Sequence, residues 1–76
     1  MDNFETRRVY YISNEKPKLA GKLPRRIELI IARAYMRGDL EVPLEEVEDM
    51  EFDRIRGVGP GTLAEIRKVI NFKENN

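Results

Sequence analysis

The segment Gly57-Val58-Gly59-Pro60-Gly61 constrains the fold of this 76-residue chain more than any other. Glycine accepts positive φ and close backbone approach, and the φ of proline suits the first turn of a helix. Apolar residues follow it at helical spacing, at Leu63, Ile66, Val69 and Ile70. We therefore expect a tight turn that starts a helix with exposed N–H groups, where an anion, most often a phosphate, binds favourably.

This segment resembles a helix-hairpin-helix motif, which many DNA-processing proteins use to grip the sugar-phosphate backbone. The matching positions are Ile55, Gly57, Val58, Gly59, Pro60, Thr62, Ala64 and Ile66. Two positions depart from the motif: Gly61 stands where many members carry Lys or Arg, and Leu63 where a small residue is common. The alternative is a tight turn between two helices that serves packing alone.

Length and composition exclude several classes of function. A chain of 76 residues makes one domain. It contains neither Cys nor His, so disulfides, thiolate or imidazole metal sites and the commonest general base are excluded. No apolar run approaches the length of a membrane span, and the N-terminus lacks the layout of a signal peptide. We expect a cytoplasmic protein that is not an enzyme and binds no cofactor.

Charge is segregated along the chain although the total is zero. Residues 1–38 carry a net charge of +5, residues 39–53 carry −8, and residues 54–76 carry +3. The strongest basic run is 16–26, which has five positive charges and no negative one. This distribution allows one surface to be positive while another is strongly negative, and the local field governs docking of a polyanion.

The pattern of apolar residues predicts a mostly α fold, a small bundle of four to five helices with a helix-hairpin-helix motif. Residues 1–18 form an N-terminal arm that is extended or a short strand, because Val9-Tyr10-Tyr11-Ile12 is β-branched and aromatic; a helix is the alternative. Residues 19–72 form the helical domain, and 73–76 a frayed tail.

Within this plan, Ser13 to Lys18 is expected to be a turn or linker. The predicted helices are Arg25–Arg37, Leu44–Met50, Glu51–Ile55 and Thr62 to about Asn71. Gly38 is expected to be the C-cap of the first of these helices. Near the end of the last helix, Arg67 and Lys68 are expected to be exposed, and Phe72 is expected to cover the core.

The order of these elements resembles the C-terminal domain of the bacterial RNA polymerase alpha subunit over roughly residues 19–70. The resemblance implies binding to the A·T-rich minor groove and contact with activators. It implies an arginine role for Arg26 or Arg25, although a gap-free alignment puts Glu28 there, and a turn role for Gly57, Gly59, Gly61 and Thr62. In helix-hairpin-helix proteins generally a monovalent cation is held by turn carbonyls, here those of Asp53, Ile55 and Val58.

The leading expectation is therefore a small module that binds the backbone of double-stranded DNA with little sequence specificity. The expected contact residues are Arg25, Arg26, Arg54, Arg56, Gly57, Val58, Gly59, Gly61, Thr62 and Lys68. The alternative is a protein-interaction module that docks RNA polymerase or another DNA-processing protein through Glu45, Glu46, Glu48 and Asp49. Both leave dimerisation open, and neither involves a membrane.

Overall fold

A computed structural model describes residues 3–70 of the chain. This part is mostly helical and contains no strand. The elements are α1 (Phe4–Tyr10), a π turn (Tyr11–Glu15), α2 (Lys16–Leu19), α3 (Arg25–Arg37), a 3-10 turn (Leu44–Glu46), α4 (Asp49–Asp53) and α5 (Pro60–Val69). None of the helices in residues 3–70 has the length and apolar character that a membrane crossing requires.

The N-terminal segment is helical, so the prediction of an extended arm or short strand is wrong. The linker predicted over Ser13–Lys18 is also wrong, because α1, the π turn and α2 follow one another without a break. Pro17 lacks an N–H and would clash with a carbonyl one α-helical turn earlier. The wider π turn just before it, closed by a hydrogen bond from the Lys16 amide to the Tyr11 carbonyl, relieves that conflict.

Helix α3 is the central element, and its predicted bounds are confirmed. It ends at Gly38, which adopts the left-handed conformation with φ of 85° and donates hydrogen bonds to the last turn. One face of the helix is buried, with Ile27, Ile31, Ala34 and Tyr35 in the core. The core residues are Tyr11, Leu19, Leu23, Ile27, Ile31, Ala32, Ala34, Tyr35, Leu40, Leu44, Val47, Phe52, Ile55, Ile66 and Ile70.

A buried carboxylate ties the N-terminal segment to the middle of the chain. Glu15 is 1% exposed. It accepts hydrogen bonds from the Tyr10 hydroxyl, from Lys18 Nζ at 2.8 Å and from the Leu44 amide at 3.2 Å. Lys18 Nζ also lies 2.7 Å from Glu45. Burial alone would lower the pKa of Lys18, but the hydrogen bonds and charges of the two glutamates outweigh it and raise that pKa.

Three tyrosines pack where this segment meets α3. The ring of Tyr35 lies 6.0 Å from that of Tyr10 and 5.6 Å from that of Tyr11. The Tyr35 hydroxyl donates a 2.6 Å hydrogen bond to the Val42 carbonyl. Burial, reinforced by nearby glutamates, raises the pKa of all three hydroxyls, that of Tyr11 to about 12. The protein therefore favours the neutral tyrosines.

The acidic stretch is less helical than predicted. Residues 44–46 form only a 3-10 turn, residues 47–48 are extended, and α4 begins at Asp49. The break occurs because Glu48 and Glu51 form a reciprocal capping box, which starts a new helix instead of continuing an old one. The predicted helices over Leu44–Met50 and Glu51–Ile55 are therefore replaced by this turn and by α4.

Helix α5 begins at Pro60, two residues earlier than predicted, as the preference of proline for the first turn allows. Its predicted end at Asn71 and the predicted role of Phe72 lie outside the described residues. Arg67 was expected to be exposed, which is wrong. Its guanidinium packs 5.5 Å from the centre of the Phe52 ring and is ion-paired with Asp49, so this arginine holds α5 against α4.

Candidate nucleic-acid interface

Residues 54–59, here called the glycine turn, join α4 to α5. Gly57 has a φ of 93°, a conformation that other residues rarely adopt. A Cβ added to it would lie 3.2 Å from Cδ1 of Ile30. The chain therefore needs glycine at this position for internal reasons, and the contact seats the turn on the middle of α3.

Gly59 and Gly61 differ from Gly57, because neither the backbone conformation nor the space for a side chain requires glycine at these positions. Neither has a positive φ, and a Cβ added to either would meet no atom within 4 Å. Gly59 is the N-cap of α5, where glycine is tolerated, but Gly61 is the second residue of the helix, where glycine is destabilising relative to alanine by up to about 1 kcal/mol. These two residues leave open space above the backbone at the start of α5.

The amides near the start of α5 differ in their hydrogen bonding. The Val58 amide donates to the Ile55 carbonyl at 3.1 Å, and the Leu63 amide donates to the Gly59 carbonyl at 3.0 Å. Within residues 3–70, no backbone acceptor is found for the amides of Gly59, Gly61 and Thr62. These are the unsatisfied donors of a helix start, and the helix dipole adds a partial positive charge there.

Arginines of α3 lie on the same side as the glycine turn. Helical periodicity puts Arg26, Arg33 and Arg37 on the face of Ile30, the residue that contacts Gly57. All three are exposed. Arg33 and Arg37 were missed in the sequence analysis, although their spacing from Arg26 is a signal that could have identified them.

Two arginines of the glycine turn extend this surface. Arg54 and Arg56 are exposed and share a surface depression with Arg37 and Asp39. The Arg37 Nε lies 3.0 Å from the Asp39 carboxylate, so the charge of Arg37 is partly neutralised. No ion pair within the described residues engages Arg26, Arg33, Arg54 or Arg56. We call Arg26, Arg33, Arg37, Arg54 and Arg56 the arginine surface.

Two predicted contact residues lie away from this surface. Arg25 is about 140° from Ile30 around the axis of α3, so its side chain starts on a different face. Lys68 is in the last turn of α5 with 72% of its side chain exposed, and its Nζ is 3.8 Å from a Glu65 oxygen. Arg54 and Arg56 belong to the glycine turn and Arg26 shares the face of α3 that contacts it, whereas Arg25 starts on a different face and Lys68 lies at the far end of α5.

The acidic residues predicted to bind a partner protein are mostly engaged inside the chain. Glu45 is ion-paired with Lys18, Glu48 caps α4, and Asp49 is ion-paired with Arg67. Glu46 is exposed.

Of the three carbonyls proposed for a monovalent cation, those of Ile55 and Val58 belong to the glycine turn, and that of Asp53 belongs to the last residue of α4. The Ile55 carbonyl already accepts the Val58 amide. Within the part of the chain that the structure describes, no group of carboxylates is arranged to hold a metal ion.

Comparison with known proteins does not extend these observations. No family model matches the chain, and neither a curated protein nor a solved structure shows significant similarity to it.

Proposed function

We propose that this protein is a small non-enzymatic module that binds the phosphate backbone of double-stranded DNA, with a helix-hairpin-helix motif formed by α4, the glycine turn and α5. A single observation carries the proposal. The start of α5 presents amides without backbone partners beside two glycines that internal packing does not require. Both the unpartnered amides and the two glycines are explained if a phosphate oxygen approaches the backbone closely at this point.

The arginine surface supports the same proposal. Four of its five members lack an ion pair within residues 3–70, so their charges are available to an anion such as phosphate. Amides position the phosphate and the arginines supply charge, and neither contact reads base sequence. Binding by one copy then falls in the non-specific range, with a Kd of about 10⁻⁴ to 10⁻⁶ M at physiological salt.

The protein-interaction alternative has less support, because Glu45, Glu48 and Asp49 already have partners within the chain. RNA polymerase or another DNA-processing protein remains the partner that this alternative would require. Its acidic surface would then act mainly through Glu46.

Fluorescence anisotropy with a labelled DNA duplex at several salt concentrations tests the proposal. If two to four cations contact phosphates, log affinity falls with log salt at a slope of about −2 to −4. The variant Arg33→Gln should weaken binding and make the slope less steep by about 0.9, because one phosphate contact is lost. The matched control Lys16→Gln removes the same charge from α2 and should leave the slope unchanged.

Two results would contradict the proposal. One is no binding even at low salt. The other is equal weakening by Arg33→Gln and Lys16→Gln, which would mean that total charge matters and that the arginine surface has no special role.

A further inference from the structure

The outward face of α1 and the first residues of the π turn carries an apolar patch. Phe4, Val9 and Ile12 are 54%, 51% and 42% exposed. Among residues 3–70, Met50 is the one other large apolar side chain with comparable exposure. Scattered apolar side chains are normal on a protein surface, but these three lie within one sector of about 140°, with Ile12 between Phe4 and Val9, and together they indicate an interaction surface.

The same face carries a pair of opposite charges. Arg8 Nη2 lies 2.8 Å from the Glu5 carboxylate, and the two side chains are still 42% and 65% exposed. Both charges therefore remain accessible to a second molecule. We call Phe4, Glu5, Arg8, Val9 and Ile12 the α1 face.

The order of these residues makes the α1 face complementary to itself. When two copies of α1 pair antiparallel about a two-fold axis, Glu5 of each copy can lie opposite Arg8 of the other. The contact between Glu5 and Arg8 then occurs twice, as a two-fold interface requires. Phe4 and Val9 lie about 140° apart around α1, on the two flanks of this charge pair. Across the two-fold axis Phe4 of one copy therefore lies on the side of Phe4 of the other, and Val9 on the side of Val9. In a parallel arrangement at equal register, like charges would face each other.

We propose that the α1 face binds a second copy of this chain through an antiparallel pairing of α1 helices. The patch is small compared with stable interfaces, which bury about 800 Å² per partner, so the dimer is weak and depends on concentration. The proposal does not depend on DNA binding. The N-terminal segment contacts α3 at Tyr35, and the glycine turn contacts it at Ile30. These two residues lie about 140° apart around the axis of α3. The dimer would therefore leave the glycine turn accessible.

Analytical ultracentrifugation without DNA tests this interface. The weight-average mass of the wild-type protein should rise toward twice the monomer mass as its concentration is raised to about 1 mM. Glu5→Arg places arginines opposite arginines, and Arg8→Glu places glutamates opposite glutamates. Each variant alone should remain monomeric over the same range, with circular dichroism showing that the helices are retained.

Mixing the two variants is the decisive measurement. An equimolar mixture of Glu5→Arg and Arg8→Glu restores opposite charges across the interface and should associate at least as strongly as the wild type. Restored helix stability within one chain cannot explain that result, since each chain still carries two like charges. The control Met50→Glu adds a charge to an exposed apolar position outside the α1 face and should not change association.

Three results would overturn the proposal. A wild-type protein that stays monomeric to about 1 mM would do so. So would a mixture of the two variants that fails to associate, or a loss of association caused equally by Met50→Glu.

Discussion

The substitution Gly61→Ala should make the protein more stable. Gly61 is the second residue of α5, has no positive φ, and a Cβ there would touch no atom within 4 Å. Alanine at such a position restricts the unfolded chain and stabilises by about 0.4–1 kcal/mol. For a domain of this size, 1 kcal/mol shifts the Tm by about 4–8 °C, so we expect a rise of about 2–8 °C in thermal unfolding.

The same substitution should weaken DNA binding, because the methyl group occupies the space through which a phosphate would approach the amides. Loss of one hydrogen bond to a charged group costs about 1.5–3 kcal/mol, which raises Kd by about ten- to a hundredfold. Anisotropy titration below the Tm measures this separately from stability. A variant that gains stability and binds DNA as tightly as the wild type would refute the idea that the backbone is approached closely at Gly61.

Three further predictions concern stability. Gly57→Ala places an alanine at a positive φ and brings its Cβ within 3.2 Å of Ile30. It should therefore lower the free energy of unfolding, measured by urea denaturation, by about 1–3 kcal/mol. An unchanged urea midpoint would mean that the turn can relax. Glu15→Ala leaves three donors without this acceptor and should lower the free energy of unfolding by about 3 kcal/mol. The control Glu46→Ala, at an exposed position, should change it by no more than about 0.5 kcal/mol. Similar losses in the two variants would contradict a structural role for Glu15. Raising the pH should destabilise the protein, because the pKa of Tyr11 is raised in the folded state to about 12 from its usual value near 10. The contribution of Tyr11 to the free energy of unfolding is complete below about pH 10 and is lost toward pH 12, at about 1.4 kcal/mol per pH unit. Urea midpoints that do not fall over this range would contradict the prediction.

The sequence was most informative where local and tertiary preferences agree. The bounds of α3 could be predicted because a complete apolar stripe, a proline before the helix and a glycine after it all indicate the same element. The tight connection before α5 was predictable for the same reason, since few sequences other than Gly57-Val58-Gly59-Pro60 combine flexibility with a helix start. Neither observation tests DNA binding, which stays a prediction.

The N-terminal segment could not be predicted because its local signals oppose its tertiary environment. Val9 to Ile12 has high β propensity, and Pro17 argues against a continuous helix. Packing against α3 overrides both: the buried Tyr11 joins the core, and a π turn accommodates the proline. The ligands of Glu15 were also not predictable, because Leu44 is 29 residues away in the sequence and no periodic pattern connects them.

The zero net charge is compatible with a polyanion as ligand, because the carboxylates and the arginines have different roles. Three carboxylates are engaged in internal contacts: Glu15 and Glu45 hold Lys18, and Asp49 holds Arg67. The two cations in these contacts are thereby withdrawn from the surface, whereas Arg33 and Arg54 keep their charges exposed beside the glycine turn. At 0.15 M salt a charge acts over about 8 Å, so a phosphate at the start of α5 would respond to the groups near it, which include Arg54 and the carboxylates of Asp39 and Glu51 that share a depression with Arg54, and not to the sum over the chain. Local pairing therefore decides what this surface can bind, and total charge does not.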